Sequence, residues 1–157
     1  MSPHANESGP DDLIEAGEAL YGLLTAAVRQ LPRDISLTAA STLATIERTG
    51  PRRITDLAVS EGVAQPSMTA LITTLERAGL VERRPDPRDQ RVVLVALTRA
   101  GADYRRARRE AGAEAFARLI GTLPPDEADA VRAAVPALRH LRALDERQRG
   151  EVTRTRP

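Results

Sequence analysis

Apolar residues recur at three- and four-residue steps over most of the chain, which is the spacing of helices with one buried face. A first helix is predicted from about Asp11 until Pro32 ends it. Its apolar stripe consists of Leu13, Gly17, Leu20, Leu24, Ala27 and Leu31. The pattern leaves two interpretations open: the stripe is buried in the chain's own core, or it is a seam with another subunit.

The segment Ile54–Leu97 contains two short helical patterns separated by a turn. Before it, Ser36 can cap a helix that ends at Thr49-Gly50-Pro51. Within it, Thr55 is the predicted N-cap of a helix from Asp56 to Ser60, and Gly62 suits a turn that needs positive φ. A further helix is predicted to begin at Gln65-Pro66 and stop at Ala78-Gly79. Its buried face is predicted to hold Met68, Leu71, Ile72 and Leu75.

Two Val- and Leu-rich strands follow, Leu80–Arg84 and Arg91–Leu97, joined by the charged tip PDPRDQ. This hairpin, residues 80–97, is called the wing below. Thr98 is predicted to cap a helix from Arg99 to about Thr122, and a last helix begins near Pro125 with Pro136 expected to kink it. The predicted fold class is therefore mainly α: a winged helix-turn-helix with a small antiparallel β-wing and long flanking helices.

Composition fits a helical fold and removes several classes of chemistry. Aromatic residues make up only 2% of the 157 residues, so the core must consist of Leu, Val, Ile and Ala. The absence of cysteine excludes disulfides, thiolate metal sites and thiol redox sensing. With only two histidines, we expect neither a transition-metal site nor a cofactor. No apolar run approaches about 20 residues and the first residues lack a signal-peptide layout, so a cytoplasmic protein without membrane contact is expected.

The distribution of charge is more informative than its total of +1. Nine arginines and four acidic residues lie between Leu80 and Arg109, a local balance of 9 − 4 = +5. All 23 basic residues are arginine, which suits phosphate contacts but is explained more simply by a GC-rich genome. The basic segment coincides with the wing and the helix that follows it.

The helix that begins at Gln65 offers neutral hydrogen-bonding groups at its N-terminus, where a helix in the major groove reaches base edges. Pro66 or Met68 could touch a thymine methyl. The predicted DNA contacts of this helix are Gln65, Pro66, Ser67, Met68, Thr69, Thr73 and Arg77. The alternative is a polar N-terminus on an ordinary surface helix.

The wing carries a basic surface. Arg88, between Asp86 and Asp89, is suited to a narrow minor groove, where negative potential is enhanced. Arg83, Arg84 and Arg91 flank the tip and could reach phosphates. The predicted DNA-binding residues of the wing are Arg83, Arg84, Asp86, Arg88 and Arg91. Predicted contacts with the DNA backbone elsewhere are Ser36, Thr38 and Arg53. The alternative is a solvated turn in which Asp86 and Asp89 pair with the arginines.

These residues resemble the multiple antibiotic resistance regulator (MarR) family. The segment LVERRPDPRDQRVVLVALTRAG is similar to that family's wing, including Asp86-Pro87-Arg88-Asp89-Gln90-Arg91 and Leu97-Thr98-x-x-Gly101. Upstream, Ile54-Thr55-Asp56-Leu57-Ala58 and Leu75-Glu76-x-x-Gly79-Leu80-Val81 also look like the family. The resemblance covers essentially all of residues 11–146.

The resemblance implies a homodimer formed by the first helix and the last two helices, bound to a pseudo-palindromic DNA operator and usually repressing transcription. It also implies that Arg88 enters the minor groove. Family members often release DNA when small lipophilic or phenolic anions bind between the dimerisation helices and the DNA-binding lobe. Tyr21 and Leu24 are candidates to line such a pocket, although a simply packed interface explains them equally well.

The predicted organisation has five segments, which at this chain length are expected to form one compact domain. These are a disordered tail (1–10), an N-terminal dimerisation helix (11–35), the winged helix-turn-helix lobe (36–98), the C-terminal dimerisation helices (99–147) and a flexible tail (148–157). The sequence departs from the family at Ala70, where a basic residue is common, and at Thr73-Thr74, where an Asp/Arg pair is common. The second departure leaves open whether this helix forms a salt bridge with the wing.

The predicted function is that of a sequence-specific, DNA-binding transcriptional regulator: a homodimeric repressor that a small ligand releases. The alternative is a winged-helix module that contacts proteins and not DNA. An enzyme is not expected, because the chain has no Gly-rich phosphate loop, no cysteine nucleophile and no histidine-based constellation. Ser41, Ser60 and Ser67 have no assignable base.

Overall fold

The computed structural model describes residues 9–30 and 34–155, and within them the chain forms six helices and two strands. In chain order these are α1 (Pro10–Gln30), α2 (Leu37–Thr49), α3 (Ile54–Glu61), α4 (Gln65–Arg77), β1 (Val81–Pro85), β2 (Val93–Leu97), α5 (Arg99–Ile120) and α6 (Pro125–Thr155). The predicted mainly α fold with an antiparallel wing is confirmed. Most of the predicted N-terminal tail (1–8) and the predicted end of the first helix at Leu31 and Pro32 lie outside the described residues.

The chain divides into two compact units, Met1–Asp34 and Ile35–Pro157. The helix of the first unit is α1, whose leucines stay in solvent: Leu13 is 67% and Leu24 is 61% exposed. Asp11 and Asp12 lie in its first turn, where negative charge is favourable to the helix dipole. An amphipathic helix with this much exposed apolar surface does not bury its stripe within its own unit.

The core of the second unit lies between α2, α3, α4 and the wing. Its fully buried large side chains are Leu43, Leu57, Met68, Ile72, Leu75, Val81 and Val95. Burial of each such side chain stabilises the fold by about 1.5–3 kcal/mol before the loss of conformational entropy is counted. Thr42 is also fully buried, and its hydroxyl donates to the carbonyl of Thr38 at 2.8 Å.

Helix ends follow local rules in most places. The hydroxyl of Ser36 accepts the amide of Ala39 at 3.1 Å, and that of Thr98 accepts the amide of Gly101 at 2.9 Å, so both predicted N-caps are confirmed. Gly62 has the expected positive φ of 65°. The predicted cap at Thr55 is wrong: α3 begins at Ile54, and the cap residue is Arg53. Ile54 packs against the core, and the helix starts two residues earlier than predicted.

The two strands of the wing pair antiparallel, with Val81 opposite Leu97 and Arg83 opposite Val95. Val95 also exchanges two backbone hydrogen bonds with Arg52, of 3.0 and 2.7 Å. This bridge joins β2 to the segment between α2 and α3, and the sequence pattern gives no sign of it. The base of the wing is therefore anchored in the core on two sides.

The last helix continues where the sequence predicts a flexible tail. α6 runs through Pro136 without a break and reaches Thr155, so residues 148–155 are helical. Pro136 removes one backbone donor and crowds the carbonyl four residues earlier, yet helix is found on both sides of it. Glu and Arg in the segment 146–155 favour helix, and near its start the Arg147 side chain donates to the carbonyl of Ala143 at 3.2 Å.

An ion-pair cluster connects α2 to α5. The Glu47 carboxylate contacts Arg105 Nε at 3.3 Å and Arg109 Nη1 at 2.5 Å. Partial burial alone would raise the pKa of Glu47, but the hydrogen bonds and charges of Arg109 and Arg105 outweigh burial and lower that pKa below its ordinary value. The ionised carboxylate is therefore stabilised in the folded chain.

We expect Glu47→Gln to lower the free energy of unfolding by about 0.5–1 kcal/mol near neutral pH, because the pair is partly exposed. Since the pKa of Glu47 is lowered on folding, this stabilisation is present above the unfolded-state pKa of about 4.3 and is lost as pH falls through the folded-state value. Urea denaturation of both proteins at several pH values measures the difference. Glu110→Gln, an exposed position on α5, is the control, and a Glu47→Gln effect that persists undiminished at low pH would contradict the expectation.

Candidate nucleic-acid interface

The N-terminus of α4 presents an uncharged polar surface. Gln65, Pro66, Ser67 and Thr69 are all exposed, and Pro66 lies in the first turn, where its missing amide is not needed. The cap residue is Ala64, which supplies no side-chain acceptor. This surface can therefore approach another molecule closely and offer hydrogen bonds without charge.

Met68 belongs to the core and not to this surface. Its side chain is fully buried, together with Ile72 and Leu75 at positions four and seven residues further along α4. These three positions lie on one face of the helix, which packs against α3 and β1 within the core. The prediction that Met68 contacts a thymine methyl is wrong.

The threonines of α4 share one hydrogen-bonding pattern. The hydroxyls of Thr69, Thr73 and Thr74 donate to the carbonyls four residues earlier, at 2.9, 3.0 and 3.1 Å. Because a hydroxyl has one proton, each oxygen is left as an acceptor. The exposed Thr69 therefore suits a donor on its partner, such as the amino group of adenine or cytosine in the major groove.

Arg83 on β1 reaches back to α4 with both arms of its guanidinium. Nη1 contacts the Glu76 carboxylate at 2.9 Å, and Nη2 donates to the half-buried Thr73 hydroxyl at 3.2 Å. An ion pair between helix and wing thus exists, although the sequence lacks the Asp/Arg pair that the family often carries at residues 73 and 74. Glu76 is a member of this site that sequence reasoning missed. Its only signal is its position within the Leu75-Glu76-x-x-Gly79 motif.

The tip of the wing is shaped by two aspartates that bond to the backbone. Asp86 Oδ1 accepts the amide of Arg88 at 2.9 Å, and Asp89 Oδ1 accepts the amide of Arg91 at 3.0 Å. Within the described residues neither aspartate forms an ion pair, so the structure differs from the alternative of Asp–Arg pairing. Each aspartate makes a local turn of the kind that Asp favours. The backbone of Arg88 is held at the tip by its hydrogen bond to Asp86, and the residue is exposed.

The other arginines of the predicted recognition helix and wing are exposed and lie on three different segments. Arg84 lies opposite Leu94 and on the other face of the hairpin from Arg83, because successive strand residues alternate. Arg91 lies in the turn before β2. Arg77 lies in the last turn of α4, where a cation is favourable to the helix dipole whether or not DNA is present.

The residues predicted to contact the DNA backbone and those predicted to line a ligand pocket lie in different parts of the chain. The exposed Ser36 uses its hydroxyl to cap α2, Thr38 is half-buried in the first turn of α2, and Arg53 is exposed before α3. Tyr21 and Leu24 lie on α1 and are 75% and 61% exposed.

The described part of the chain holds no group of three or more side chains able to bind a metal ion. No helix within residues 9–30 and 34–155 is long and apolar enough to cross a membrane.

Gly101 has a role that sequence reasoning did not find. A Cβ at this position would lie 1.9 Å from the carbonyl oxygen of Leu80 and 2.9 Å from its carbonyl carbon. Around this contact the Thr98 hydroxyl donates to the Gly79 carbonyl at 2.6 Å and the Thr98 amide donates to that of Leu80 at 3.2 Å. The start of α5 is thus packed directly on the link between α4 and β1.

The elements of this surface define a class. Two helices, α3 and α4, are joined by a turn with a left-handed Gly62, and an antiparallel hairpin with an exposed arginine tip follows the second helix. This is the winged helix-turn-helix arrangement, in which the second helix is the recognition helix and the hairpin is the wing.

Comparison with known proteins identifies the family. The MarR family pattern matches residues 35–93. The HTH-type transcriptional regulator Mb0904 of Mycobacterium bovis is 34% identical over 143 residues, which cover 85% of this chain and 99% of that protein. The crystal structure of RV1404 from Mycobacterium tuberculosis superimposes with a TM-score of 0.67 at 27% identity, covering 88% of this chain and 97% of that one. The chain belongs to the MarR family of transcriptional regulators.

A structure with DNA shares the fold. A mutant of MepR from S. aureus, bound to an oligodeoxyribonucleotide, has a TM-score of 0.58 and 21% identity, covering 84% of this chain and 94% of that one. At this identity the likeness concerns the fold alone. It places a DNA-bound protein among the structures that share this architecture.

Proposed function

We propose that the chain is a sequence-specific, homodimeric DNA-binding repressor. One observation carries the proposal: α4 has an uncharged, exposed N-terminus, its C-terminal half is joined by an ion pair to the wing, and the tip of the wing carries an exposed arginine. The helix supplies base-reading groups, and the wing supplies positive charge. Together they divide the two tasks that DNA recognition requires.

In this proposal α4 enters the major groove with Gln65, Ser67 and Thr69 toward the base edges, and Arg88 enters the adjacent minor groove. Arg84 and Arg91 contact phosphates. Ser36, Thr38 and Arg53 contact the DNA backbone in front of α2 and α3, and contacts of this kind set register without reading sequence.

The homodimer is supported by apolar side chains that the single chain leaves in solvent. On α6, Leu138, Leu141 and Leu144 recur at three-residue steps and are 40%, 53% and 42% exposed. On α1, Leu13 and Leu24 are more exposed still. Stripes of this kind are typical of surfaces that a second copy covers. In such a dimer the two recognition helices are spaced by about one DNA turn, roughly 34 Å.

We further propose that a small lipophilic or phenolic ligand releases the protein from DNA. Tyr21 and Leu24 are three residues apart on α1, so they share one face of that helix. An exposed aromatic ring beside a leucine suits an apolar ligand. Thermal-shift screening against aromatic acids, followed by DNA-release assays with each hit, tests this part. A hit that raises the melting temperature and leaves DNA binding intact would contradict release.

We expect the full-length protein to bind the DNA that flanks its own gene, with an affinity that falls steeply as salt increases, because several phosphates are neutralised. Fluorescence anisotropy over a series of salt concentrations measures the affinity and its salt slope. Sedimentation of the same sample is expected to show a dimer at micromolar concentration. No binding at low salt, or a monomer in sedimentation, would refute the respective part of the proposal. Absence of DNA binding would favour the alternative of a module that contacts proteins.

A further inference from the structure

We infer that Arg83 is a positioning residue, which holds the wing at a fixed angle to α4 and does not contact phosphate. The inference rests on the proposed DNA-binding function and assigns one of its parts. It concerns the cluster of Arg83, Glu76 and Thr73, which we call the brace.

The geometry of the brace occupies the guanidinium of Arg83. One nitrogen pairs with Glu76 at 2.9 Å, and the other donates to the hydroxyl of Thr73 at 3.2 Å. Thr73 already donates its proton to the carbonyl of Thr69, so its oxygen can only accept, which matches a group that can only donate. The ion pair is partly shielded, with the side chains of Arg83 and Glu76 34% and 35% exposed.

The register of the hairpin explains the direction of Arg83. It lies opposite Val95, which is fully buried, and two residues from the buried Val81, so all three belong to the face of the wing that packs on the core. Val81 and Val95 anchor the base of the wing, and the brace extends that attachment one step toward the tip. Arg84, on the opposite face, has no such partner within the described residues.

The consequence for recognition is geometric. Gln65 and Thr69 on α4 and Arg88 at the tip must reach two grooves at once. A wing that pivots relative to α4 loses affinity although every contacting side chain is still present, because orientation must then be fixed on binding. The brace fixes that orientation before DNA arrives.

The two roles of Arg83 predict opposite effects for Glu76→Gln. If Arg83 is a phosphate contact, removal of the neighbouring carboxylate frees the arginine and removes a negative charge, so binding tightens. If Arg83 is a positioning residue, the same substitution loosens the wing, and we expect affinity to fall about two- to fivefold, the range for a partly exposed ion pair. Glu82→Gln is the matched control: it makes the same charge change on β1, at an exposed position on the opposite face of the hairpin.

The experiment compares the full-length wild type with Glu76→Gln, Glu82→Gln, Arg83→Ala and the charge swap of Glu76→Arg with Arg83→Glu. DNA affinity is measured over a series of salt concentrations. We expect Glu76→Gln to bind more weakly and Glu82→Gln to bind as well as wild type or better. Arg83→Ala should lose affinity with the salt slope unchanged, and the charge swap should recover part of that loss.

If the slope of log affinity against log salt concentration falls in magnitude by about one in Arg83→Ala, the inference is overturned, because such a fall indicates a lost phosphate contact. Tighter binding by Glu76→Gln would overturn it as well. Amide exchange in the free protein provides a test without DNA: the wing amides of Asp86 and Val92 should exchange about two- to fivefold faster in Glu76→Gln and unchanged in Glu82→Gln. Unchanged exchange in Glu76→Gln would overturn the inference. If the wild type fails to bind DNA, the proposed function fails, and the exchange result still decides whether the brace holds the wing.

Discussion

Arg88→Ala is expected to weaken DNA binding roughly 5- to 150-fold, or about 1–3 kcal/mol, while leaving stability and oligomeric state unchanged. The side chain is exposed, and within the described residues it forms no ion pair, so its removal costs the fold little. In the proposed complex, however, it lies in the minor groove, where the negative potential of DNA is strongest. The salt slope should fall by about one, because one cationic contact is lost.

Two controls separate the side chain of Arg88 from the turn that carries it. Arg132→Ala removes the same charge from an exposed position on α6, where Arg132 pairs with Asp129 of the same helix, and should leave affinity nearly unchanged. Asp86→Asn keeps a side-chain oxygen that can accept the Arg88 amide, whereas Asp86→Ala removes it. We therefore expect Asp86→Ala to weaken binding and Asp86→Asn to preserve it. Equal losses in Arg88→Ala and Arg132→Ala would show that only total charge matters.

Gly101→Ala is expected to lower the free energy of unfolding by about 3 kcal/mol, at the upper end of the usual effect of over-packing. The new Cβ would lie 1.9 Å from the Leu80 carbonyl oxygen, which is backbone and cannot turn aside as a flexible side chain would. Either α5 or the segment after α4 must shift. Urea or thermal denaturation measures the loss.

Gly112→Ala in the same helix is the control for Gly101→Ala. No atom lies within 4 Å of a Cβ built at Gly112. Since alanine favours helix over glycine by about 1 kcal/mol, helix propensity alone predicts that both substitutions stabilise. If Gly101→Ala destabilises the protein while Gly112→Ala stabilises it, the difference isolates the clash with Leu80. Stabilisation by Gly101→Ala would contradict the contact.

Periodicity was sufficient to predict the elements of the DNA-binding lobe. The helix from Gln65 to Arg77 is found where proline at its start and glycine beyond its end place it. The hairpin is found between Val81 and Leu97, close to the predicted strands. These features are determined by residues that are close together in the sequence, so a single sequence is enough to predict them.

Features that depend on a partner distant in sequence were not predictable in the same way. The sequence placed Met68 both on the buried face of α4 and among the residues predicted to contact DNA. Only its full burial in the structure decides between these two interpretations. Arg83 looked equivalent to Arg84 because both are arginines on one strand, yet only Arg83 faces Glu76. The bridge from Arg52 to Val95 joins segments about forty residues apart, and no residue type encodes it.

The contact between Gly101 and Leu80 has a mechanical consequence. The hydrogen bonds from Thr98 to the carbonyls of Gly79 and Leu80 attach the first turn of α5 to the residues that end α4 and begin β1. The joint includes Gly79, whose φ of 71° marks the bend between recognition helix and wing, so a rotation of α5 that keeps these hydrogen bonds must also move that bend.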